Sequence, residues 1–306
     1  MGQHVIVGAG TVGSALAARL AERGHEVIVV SRRGTAPPTD GVRGVAADAS
    51  DAAALAAIAA GADVIYNCAN PRYHRWERDW PPIAASILGA AERSGAVLAT
   101  LSNLYGYGPV DGAMTETLPL AATSSKGQVR ATMWRDAKRA HDEGRVQATE
   151  VRASDFIGPR SQSYLGMLIP RVMAGKSCQV IGDPDAPHSW NYTQDVARAL
   201  FTCAQDDRSW GRAWHAPANP PRSVRQAIGD IARLTGATKV KITKVPTVAL
   251  RVLGLFNTDV RELPKTLYQF QVPFVIDDSE TRSTFGLEPT PWDDVLKSSI
   301  DFFSSN

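Results

Sequence analysis

Three glycines near the start of the chain have a spacing that suits phosphate binding. Gly8, Gly10 and Gly13 form a G-x-G-x-x-G motif directly after the apolar run His4–Val7. Such a motif permits a tight turn, lets backbone approach a pyrophosphate, and seats its charge at the positive end of the following helix. The motif therefore predicts a dinucleotide-binding elbow, formed by Gly8, Gly10, Thr11, Val12 and Gly13. The alternative is a glycine turn in an α/β protein that binds no nucleotide.

The next informative position lies where the second predicted strand, Glu26–Ser31, ends. In NAD-selective proteins an acidic residue about 20 residues beyond the motif binds the ribose 2′-hydroxyl. The sequence here reads Ser31-Arg32-Arg33, and a guanidinium donates charge-assisted hydrogen bonds to phosphate oxygens. These residues predict that NADP(H) is preferred over NAD(H). A solvated basic turn is the alternative interpretation.

Alternating strand and helix patterns must position these groups, and they predict a parallel, doubly wound α/β sheet. We expect further strands at 41–47, 62–69 and 96–101, and a helix at 52–60. Ligands bind at the carboxyl ends of such strands. We therefore assign cofactor contacts to residues at the ends of the third and fourth strands: Asp48, Cys68, Ala69 and Asn70. Asp48 could instead belong to the start of the next helix, where Ser50 or Asp51 suits the N-cap.

Composition limits the class of protein. The chain has 306 residues, 44% of them hydrophobic, and a formal net charge of +2. This length supports a substantial core, and the small net charge predicts neither a nucleic-acid nor a membrane partner. No apolar run reaches the length of a membrane span, and the first residues enter a strand, so we expect a cytoplasmic protein without a cleavable signal. The three cysteines, Cys68, Cys178 and Cys203, form no metal-binding pattern and are expected to be reduced thiols.

A run of aromatic and charged residues, Arg72–Trp80, precedes a helix that we expect from Pro81 to Ser94. Its aromatic rings could line the rim of a substrate cleft or pack in a subunit interface. We assign Tyr73 to the substrate pocket and leave both interpretations open for the run.

Four further segments give the chain a family resemblance. They are Ser102–Pro109, Arg152–Pro159, His188–Ala197 and Trp292–Phe303. Together with the glycine motif they resemble the extended short-chain dehydrogenase/reductases, the group of NAD-dependent epimerases and dehydratases, over essentially the whole chain. The resemblance implies a Rossmann domain, an oxidoreductase chemistry with a nicotinamide cofactor, and a homodimer formed through the helices near 81–94 and 125–143.

The resemblance also shows where the family's active-site pattern is incomplete. The family has a Ser or Thr four residues before a Tyr-Gly pair. If Tyr107-Gly108 is that pair, Asn103 takes the position, with Ser102 beside it. We assign Ser102, Asn103 and Tyr105 to the catalytic site.

The family's acid–base group is the Tyr of a Tyr-x-x-x-Lys motif. Counting from Glu116 places Lys126 on that Tyr and Arg130 on the Lys, whereas a second register places Ala122 and Lys126 there. We prefer the first register because it also keeps the family's glycine, and the Tyr is absent in both. Lys126 and Arg130 lie one helical turn apart, so we expect the like charge to lower the pKa of Lys126 and let it donate or accept a proton. Alternatively, Lys126 only binds cofactor oxygens, and the chemistry uses Tyr105, Tyr107 or neither.

A second departure concerns the substrate. In nucleotide-sugar enzymes of the family an Arg holds the nucleotide phosphate at the position that His188 occupies here. A neutral imidazole anchors a diphosphate poorly, so we expect a smaller and less charged substrate. The expected pocket comprises Tyr73, Asn103, Tyr105, Tyr107, Asp155, Phe156, His188 and Trp190, with Ala153 and Asp155 also near the cofactor. Alternatively, His188 and Trp190 only pack between domains, and Asp195 is expected to cap a helix at 196–204.

We expect the dinucleotide-binding domain at 1–159 and 188–215, and a smaller α+β substrate-binding domain at 160–187 and 216–306. In the latter, helices are expected at 165–174, 223–234 and 248–256, and a half-buried strand at 239–246. The helix at 248–256 is expected to pack over the substrate cleft.

The sequence thus predicts an NADP-dependent oxidoreductase or epimerase-type enzyme that acts on a small carbonyl or alcohol. Two alternatives stay open because the family Tyr is missing. One is a non-catalytic protein that senses NADP, and the other is a redox-neutral cyclase or isomerase on the same fold.

Overall fold

The computed structural model describes residues 2–161, 163–238, 240–246, 248–250, 255 and 258–305. Its contacts divide the chain into two compact units. Unit 1 comprises Met1–Gly108, Pro119–Ala153 and Val196–Ala216, and unit 2 comprises Pro109–Leu118, Ser154–Asp195 and Pro217–Asn306. The sequence placed the segments 109–118, 154–159 and 188–195 with the dinucleotide-binding domain, whereas the contacts assign them to unit 2.

Unit 1 is built on a seven-stranded parallel sheet with the order β10-β6-β5-β4-β1-β2-β3. Its strands are β1 (Gln3–Val7), β2 (Glu26–Ser31), β3 (Val42–Ala46), β4 (Val64–Asn67), β5 (Val97–Asn103), β6 (Ala148–Ala153) and β10 (Ala213–His215). Its helices are α1 (Thr11–Ala21), α2 (Ala52–Ile58), α3 (Trp76–Ser94), α4 (Ser125–Asp142) and, from Val196 onward, α6 (Thr193–Gln205). The doubly wound Rossmann sheet predicted from the sequence is confirmed.

The central strands of unit 1 are buried because their side chains are apolar on both faces. In β1 every residue from His4 to Val7 is buried, and β4 is buried throughout. β1 pairs in parallel with both β2 and β4, with Val7 opposite Val30 on one side and Asn67 on the other. The carboxyl ends of these three strands therefore lie together at the elbow.

Helix α3 begins earlier than expected. The sequence predicted a start at Pro81, but the helix runs from Trp76 and holds Pro81 and Pro82 in its interior. Trp76 and Trp80 lie one turn apart on the same face and are both buried, 3% and 0% exposed. Burial of these two indole rings stabilises the first turn of α3, although Pro81 and Pro82 disfavour a helix that begins before them.

Unit 2 contains two small parallel sheets and several helices. β7 (Asp155–Ile157) pairs with β9 (Trp190–Tyr192), and β8 (Cys178–Val180) pairs with β11 (Ile242–Lys244). Its helices are α5 (Tyr164–Met173), α7 (Val224–Thr235), α8 (Thr258–Glu262), α9 (Ser279–Phe285) and α10 (Trp292–Ser304). The core is formed mainly by apolar residues of α5, α7 and α10.

Two expectations about helix ends had different outcomes. The helix expected at 223–234 is α7, and Ser223 caps it with a full capping box, in which Gln226 bonds back to the Ser223 backbone. The cap assigned to Asp195 was wrong, because α6 starts two residues earlier, at Thr193. The Asp195 carboxylate instead accepts hydrogen bonds from the N–H and hydroxyl of Thr290, at 2.7 and 2.8 Å. The helix expected at 248–256 lies largely outside the described residues.

Candidate functional site

The glycine elbow has the close contacts that its sequence predicted. Gly8 has a φ of +117°, and a Cβ there would lie 2.4 Å from the carbonyl oxygen of Cys68. A Cβ at Gly13 would lie 2.1 Å from the carbonyl oxygen of Gly8. These two glycines are therefore required by the fold itself, for a strained turn and for packing α1 against it.

Gly10 is different, because the protein itself does not require a glycine there. Its backbone is extended, with φ −74° and ψ −176°, and a Cβ built on it would meet nothing within 4 Å. Gly10 precedes α1, and no side chain caps that helix N-terminus. The open space and uncapped N–H groups together form a cradle suited to an anion such as a phosphate.

A cavity of about 470 Å³ opens at this elbow. Its walls come from the ends of β1, β2, β3 and β4, and they include Gly8, Gly10, Ser31, Arg32, Asp48, Cys68, Ala69 and Asn70. Eight of the residues predicted to contact a cofactor thus share one cavity. Arg33, Thr11, Val12 and Gly13 do not line it: Arg33 is exposed, whereas Val12 and Gly13 are buried in α1.

The charged groups of the cavity include some that the sequence interpretation missed. Arg72, Arg75 and Asp79 also line it, and Asp79 forms salt bridges with Arg75 and Arg78. Their signal was available, because they follow the carboxyl end of β4, where ligands of such sheets bind. The cavity therefore carries Arg32 and Arg72 in addition to the neutralised Arg75.

Asp48 and Cys68 both line this cavity, and they differ in the charge of their side chains. The N–H and hydroxyl of Ser50 donate to Asp48 Oδ1, at 2.9 and 2.7 Å, and hold the pKa of this carboxyl below its ordinary value. Asp51, rather than Asp48, caps α2. Burial raises the pKa of the Cys68 thiol to about 12, so Cys68 is an apolar wall of the cavity at neutral pH.

Lys126 lies in the first turn of α4 and is only 1% exposed. Its ammonium donates to the backbone carbonyl of Tyr73 at 2.5 Å and lies 4.0 Å from the centre of the Tyr73 ring. Both contacts suit a positively charged group. Gly127 allows α4 to approach closely, since a Cβ there would lie 2.4 Å from the Tyr105 carbonyl oxygen.

The Arg130 guanidinium packs against two aromatic rings. Its guanidinium lies 4.7 Å from the Trp76 ring centre and 4.4 Å from that of Trp80. Burial lowers the pKa of Arg130 to about 10, while the Glu150 carboxylate opposes the shift. The two tryptophans of the run Arg72–Trp80 thus serve neither a cleft rim nor a subunit interface, because they pack against Arg130 within unit 1.

Ser102, Asn103 and Tyr105 follow one another at the end of β5. Ser102 is buried, whereas Asn103 and Tyr105 are half-buried. The side-chain oxygen of Asn103 accepts a hydrogen bond from the Tyr105 N–H at 3.2 Å. The Tyr105 ring lies 6.1 Å from that of Trp76. The Lys126 ammonium lies 5.6 Å from the same Trp76 ring, so Tyr105 and Lys126 share this neighbour.

Tyr107 lies in a buried hydrogen-bonded network. It is 2% exposed, and its hydroxyl accepts from Arg152 at 2.7 Å and contacts the His215 ring nitrogen at 2.8 Å. Arg152 also donates to the buried Glu150 carboxylate at 2.7 Å. This hydrogen-bonded network holds Tyr107 inside unit 1, and its assignment to the substrate pocket stays a prediction.

The predicted residues of unit 2 lie on β7, β9 and the turn before β9. Asp155 and Phe156 are half-buried on β7, while His188 and Trp190 are buried. The Trp190 indole N–H donates to the carbonyl oxygen of Arg222 at 2.9 Å, and the His188 ring stacks 4.9 Å from Phe270. Ala153 ends β6 and is buried, in unit 1.

Neither a metal-binding cluster nor a membrane-spanning helix is found in the described part of the chain. It contains no group of three or more His, Cys, Asp or Glu residues placed to hold a metal ion. No helix described in it has the length and apolar character needed to cross a membrane.

Comparison with known proteins agrees with the fold. The profile of the NAD dependent epimerase/dehydratase family matches residues 4–214. No curated protein matches the sequence significantly. UDP-glucose 4-epimerase of Thermotoga maritima, solved with UDP-glucose, is 17% identical with a TM-score of 0.81, covering 99% of both chains. dTDP-glucose 4,6-dehydratase of Streptomyces venezuelae, solved with NAD, is 19% identical with a TM-score of 0.80, covering 99% of this chain and 97% of that one. UDP-glucuronic acid 4-epimerase of Bacillus cereus, solved with NAD, is 16% identical with a TM-score of 0.80, covering 99% of both.

Proposed function

This chain belongs to the NAD dependent epimerase/dehydratase family, and on that premise we propose that it binds NADP(H) and acts on a small carbonyl or alcohol. The observation that carries the proposal is the cradle at Gly10, which is open although the fold itself needs no glycine there. A dinucleotide that places its pyrophosphate at this cradle explains the choice of residue.

The residues of the cavity fit such a cofactor. The N–H groups at the start of α1 would hold the pyrophosphate, and Asp48 would face the adenosine half from the end of β3. When bound, the nicotinamide ring supplies or accepts a hydride.

Arg32 supports a preference for the phosphorylated cofactor. It lines the cavity at the end of β2, where its guanidinium would meet a ribose 2′-phosphate, whereas Arg33 does not line the cavity. The solved relatives named above that hold a cofactor hold NAD. The preference therefore depends on the Arg32 side chain alone.

Lys126 replaces the family Tyr, and we assign it an electrostatic role. Its ammonium is held by the Tyr73 carbonyl and ring, and both contacts suit a positive charge. A fixed positive charge stabilises negative charge that develops on a carbonyl oxygen during reduction. Tyr105 packs near Trp76, and Asn103 accepts a hydrogen bond from the Tyr105 N–H. These two residues and the buried Ser102 complete the proposed catalytic site.

The substrate proposal follows from unit 2. His188 stands where nucleotide-sugar enzymes of the family hold phosphate with an Arg, and its imidazole is buried and stacked between aromatic rings. Asp155 presents a carboxylate on the neighbouring strand, which would repel a diphosphate. Both features favour a substrate that carries no phosphate groups.

The experiment is a pair of titrations followed by a turnover assay. We expect NADPH to bind more tightly than NADH by about tenfold or more, as one charge-assisted contact allows. Incubation with small aldehydes, ketones and alcohols should then change the nicotinamide absorbance, and UDP-glucose should not compete. Failure to bind either nucleotide would refute the proposal, and tighter NADH binding would refute the cofactor preference.

The absence of the family Tyr favours a second candidate, a protein that senses NADP without turning anything over. Binding of NADPH with no absorbance change for any compound of the panel would support it. Product formed without net cofactor consumption would instead support a redox-neutral cyclase or isomerase.

We also propose a homodimer formed through α3 and α4. A groove of about 540 Å³ lies between these helices, and its apolar lining includes Pro81, Ala85, Leu88 and Met133. Such a surface suits contact with a second copy. Light scattering should give the mass of a dimer, and a monomer mass would contradict this proposal.

A further inference from the structure

Three polar residues stand side by side on one face of the sheet of unit 1. The register pairs Asn67 of β4 with Thr100 of β5, and Thr100 with Glu150 of β6. Residues paired in this way project from the same face of a sheet, and neighbouring strands lie about 4.8 Å apart, so the three side chains form a row about 10 Å long. We call these three residues the polar row.

The polar row lies under α3 and α4. Two residues earlier on the same three strands, and hence on the same face, the side chains belong to the apolar core and pack with residues of both helices: Ile65, Leu98 and Ala148. The polar row is buried to a similar degree, with its members between 2 and 7% exposed. Burial of a polar side chain costs free energy unless the side chain finds a hydrogen-bond partner.

Each member of the polar row keeps one polar atom without a hydrogen bond in the described part of the chain. Asn67 Oδ1 accepts from the Ala69 N–H at 3.3 Å, and Glu150 Oε1 accepts from Arg152 at 2.7 Å. No hydrogen bond among the described residues reaches Asn67 Nδ2, the Thr100 hydroxyl or Glu150 Oε2. From β4 to β6 the row thus offers a donor, a hydroxyl that both donates and accepts, and an acceptor.

The polar row lines the groove of about 540 Å³ between α3 and α4. The helical walls of this groove include the apolar residues Ala84, Ile87, Val129 and Met133. Sites for small molecules combine apolar walls with a few placed polar groups. Among the residues that the structure describes, the groove shares none of its lining with the cofactor cavity, so the two are separate.

We propose that this groove binds a small neutral molecule with an apolar body and a primary carboxamide head. The carboxamide oxygen would accept from Asn67 and Thr100, and its NH2 group would donate to Glu150 Oε2. A carboxamide with a hydrogen bond at each end spans about 8 Å, which fits the length of the polar row. Binding there needs neither the cofactor nor the reaction proposed above.

The charge of the polar row favours a neutral head group. Arg152 already compensates the Glu150 carboxylate, so a neutral N–H donor suits Oε2, whereas a second carboxylate would be repelled. The homodimer contact proposed above uses the apolar rim of the groove on the two helices. The head group would lie on the sheet beneath that rim.

The first test uses cyclohexanecarboxamide as the probe, followed in the methionine methyl spectrum of the full chain. The signal of Met133, which lines the groove, should shift with a dissociation constant below about 1 mM, whereas that of Met167, exposed on α5, should not. Cyclohexanecarboxylate and N,N-dimethylcyclohexanecarboxamide, which lack amide N–H groups, should bind about tenfold more weakly.

Three results of this test would count against the site. Equal binding of the three probes would refute recognition of a carboxamide. A Met133 signal that none of them shifts would refute the groove as a site for small molecules. A Met133 signal that responds to protein concentration but not to the carboxamide would show that a second copy fills the groove, and it would also overturn the site.

The second test measures the affinity for the carboxamide in three variants. Thr100→Val replaces the hydroxyl by a methyl group and should weaken binding by about tenfold. Thr132→Val is the matched control, because Thr132 also lines the groove but is exposed on α4, and the affinity should stay within about twofold of the wild type. Ala84→Phe fills the groove from α3 and should abolish binding.

Thermal unfolding shows whether each variant is folded. Wild-type affinity in folded Thr100→Val would refute contact with the polar row. Should Thr100→Val not fold, Ala84→Phe decides, because wild-type affinity in that variant would show that the probe binds elsewhere.

Discussion

Gly13 packs so closely against Gly8 that a Cβ at position 13 would lie 2.1 Å from the Gly8 carbonyl oxygen. At Gly10, three residues earlier, a Cβ would meet nothing within 4 Å. The same motif therefore contains one glycine that the fold needs and one that we assign to the cofactor, and substitution separates the two.

Gly13→Ala should lower both the melting temperature and the affinity for NADPH, because α1 must shift away from the end of β1. Gly10→Ala should leave the melting temperature unchanged and weaken NADPH binding by tenfold or more, on the order of 1.4 kcal/mol. Thermal unfolding and a binding titration measure both effects. Unchanged NADPH affinity in Gly10→Ala would contradict the assignment of the cradle.

Arg32→Ala should reduce the preference for NADPH over NADH by about tenfold or more, since one charge-assisted hydrogen bond contributes roughly 1.5–3 kcal/mol. Arg33→Ala is the matched control, because Arg33 is a neighbouring exposed guanidinium outside the cavity. The ratio of the two dissociation constants, measured at one salt concentration, checks this prediction. Equal effects of both substitutions would indicate that only the general positive charge of the turn matters.

Lys126→Met should lower kcat by about 100-fold, the size of effect seen when a group that stabilises an oxyanion is removed. Its neighbour Tyr105 supplies the comparison, and Tyr105→Phe should lower kcat less than Lys126→Met does. Steady-state absorbance assays on the same substrate measure both variants. Full turnover in Lys126→Met with loss in Tyr105→Phe would move the chemistry to Tyr105.

His4 makes stability depend on pH. Burial lowers the pKa of His4 to about 4, and the nearby His25 adds to the shift. The unfolded chain therefore binds more protons than the folded one between pH 6.5 and about 4, so the free energy of unfolding should fall as the pH is lowered across this window. We expect a loss of roughly 3 kcal/mol, with no further contribution below the lower limit.

Denaturant unfolding at several pH values checks the His4 prediction. His4→Leu should flatten the pH dependence, whereas His74→Asn, which removes a histidine outside the core, should leave it as in the wild type. A free energy of unfolding that stays constant from neutral pH down to about 4 in the wild type would contradict this prediction.

Local patterns were sufficient to predict the sheet and the elbow. The apolar runs at β1, β2 and β4, and the glycines between β1 and α1, are each contained in a few consecutive residues. The start of α7 at Ser223 is local in the same sense, and the helix was expected there. Asp195 misled because a carboxylate near a helix start resembles a cap, while its partner Thr290 is 95 residues away.

The buried contacts of Arg130 and Tyr107 could not be predicted, because their partners are distant in sequence. Arg130 stacks on Trp76 and Trp80, about 50 residues earlier, and nothing near Arg130 indicates an aromatic partner. Tyr107 looked like a pocket residue from its Tyr-Gly context, but Arg152 and His215 hold it in the core. A signal did exist in Glu150 and Arg152, two charged residues of opposite sign two positions apart on a strand, which indicates an ion pair.

The chain passes between the two units five times, and the last segment of unit 1 is Val196–Ala216. That segment supplies β10, which covers β6 at the edge of the sheet and brings His215 to Tyr107. More than two thirds of the protein must therefore be synthesised before β10 can pair with β6 and complete the sheet of unit 1. A gene fragment ending near residue 159 would leave β6 as an unpaired edge strand, and such strands promote aggregation.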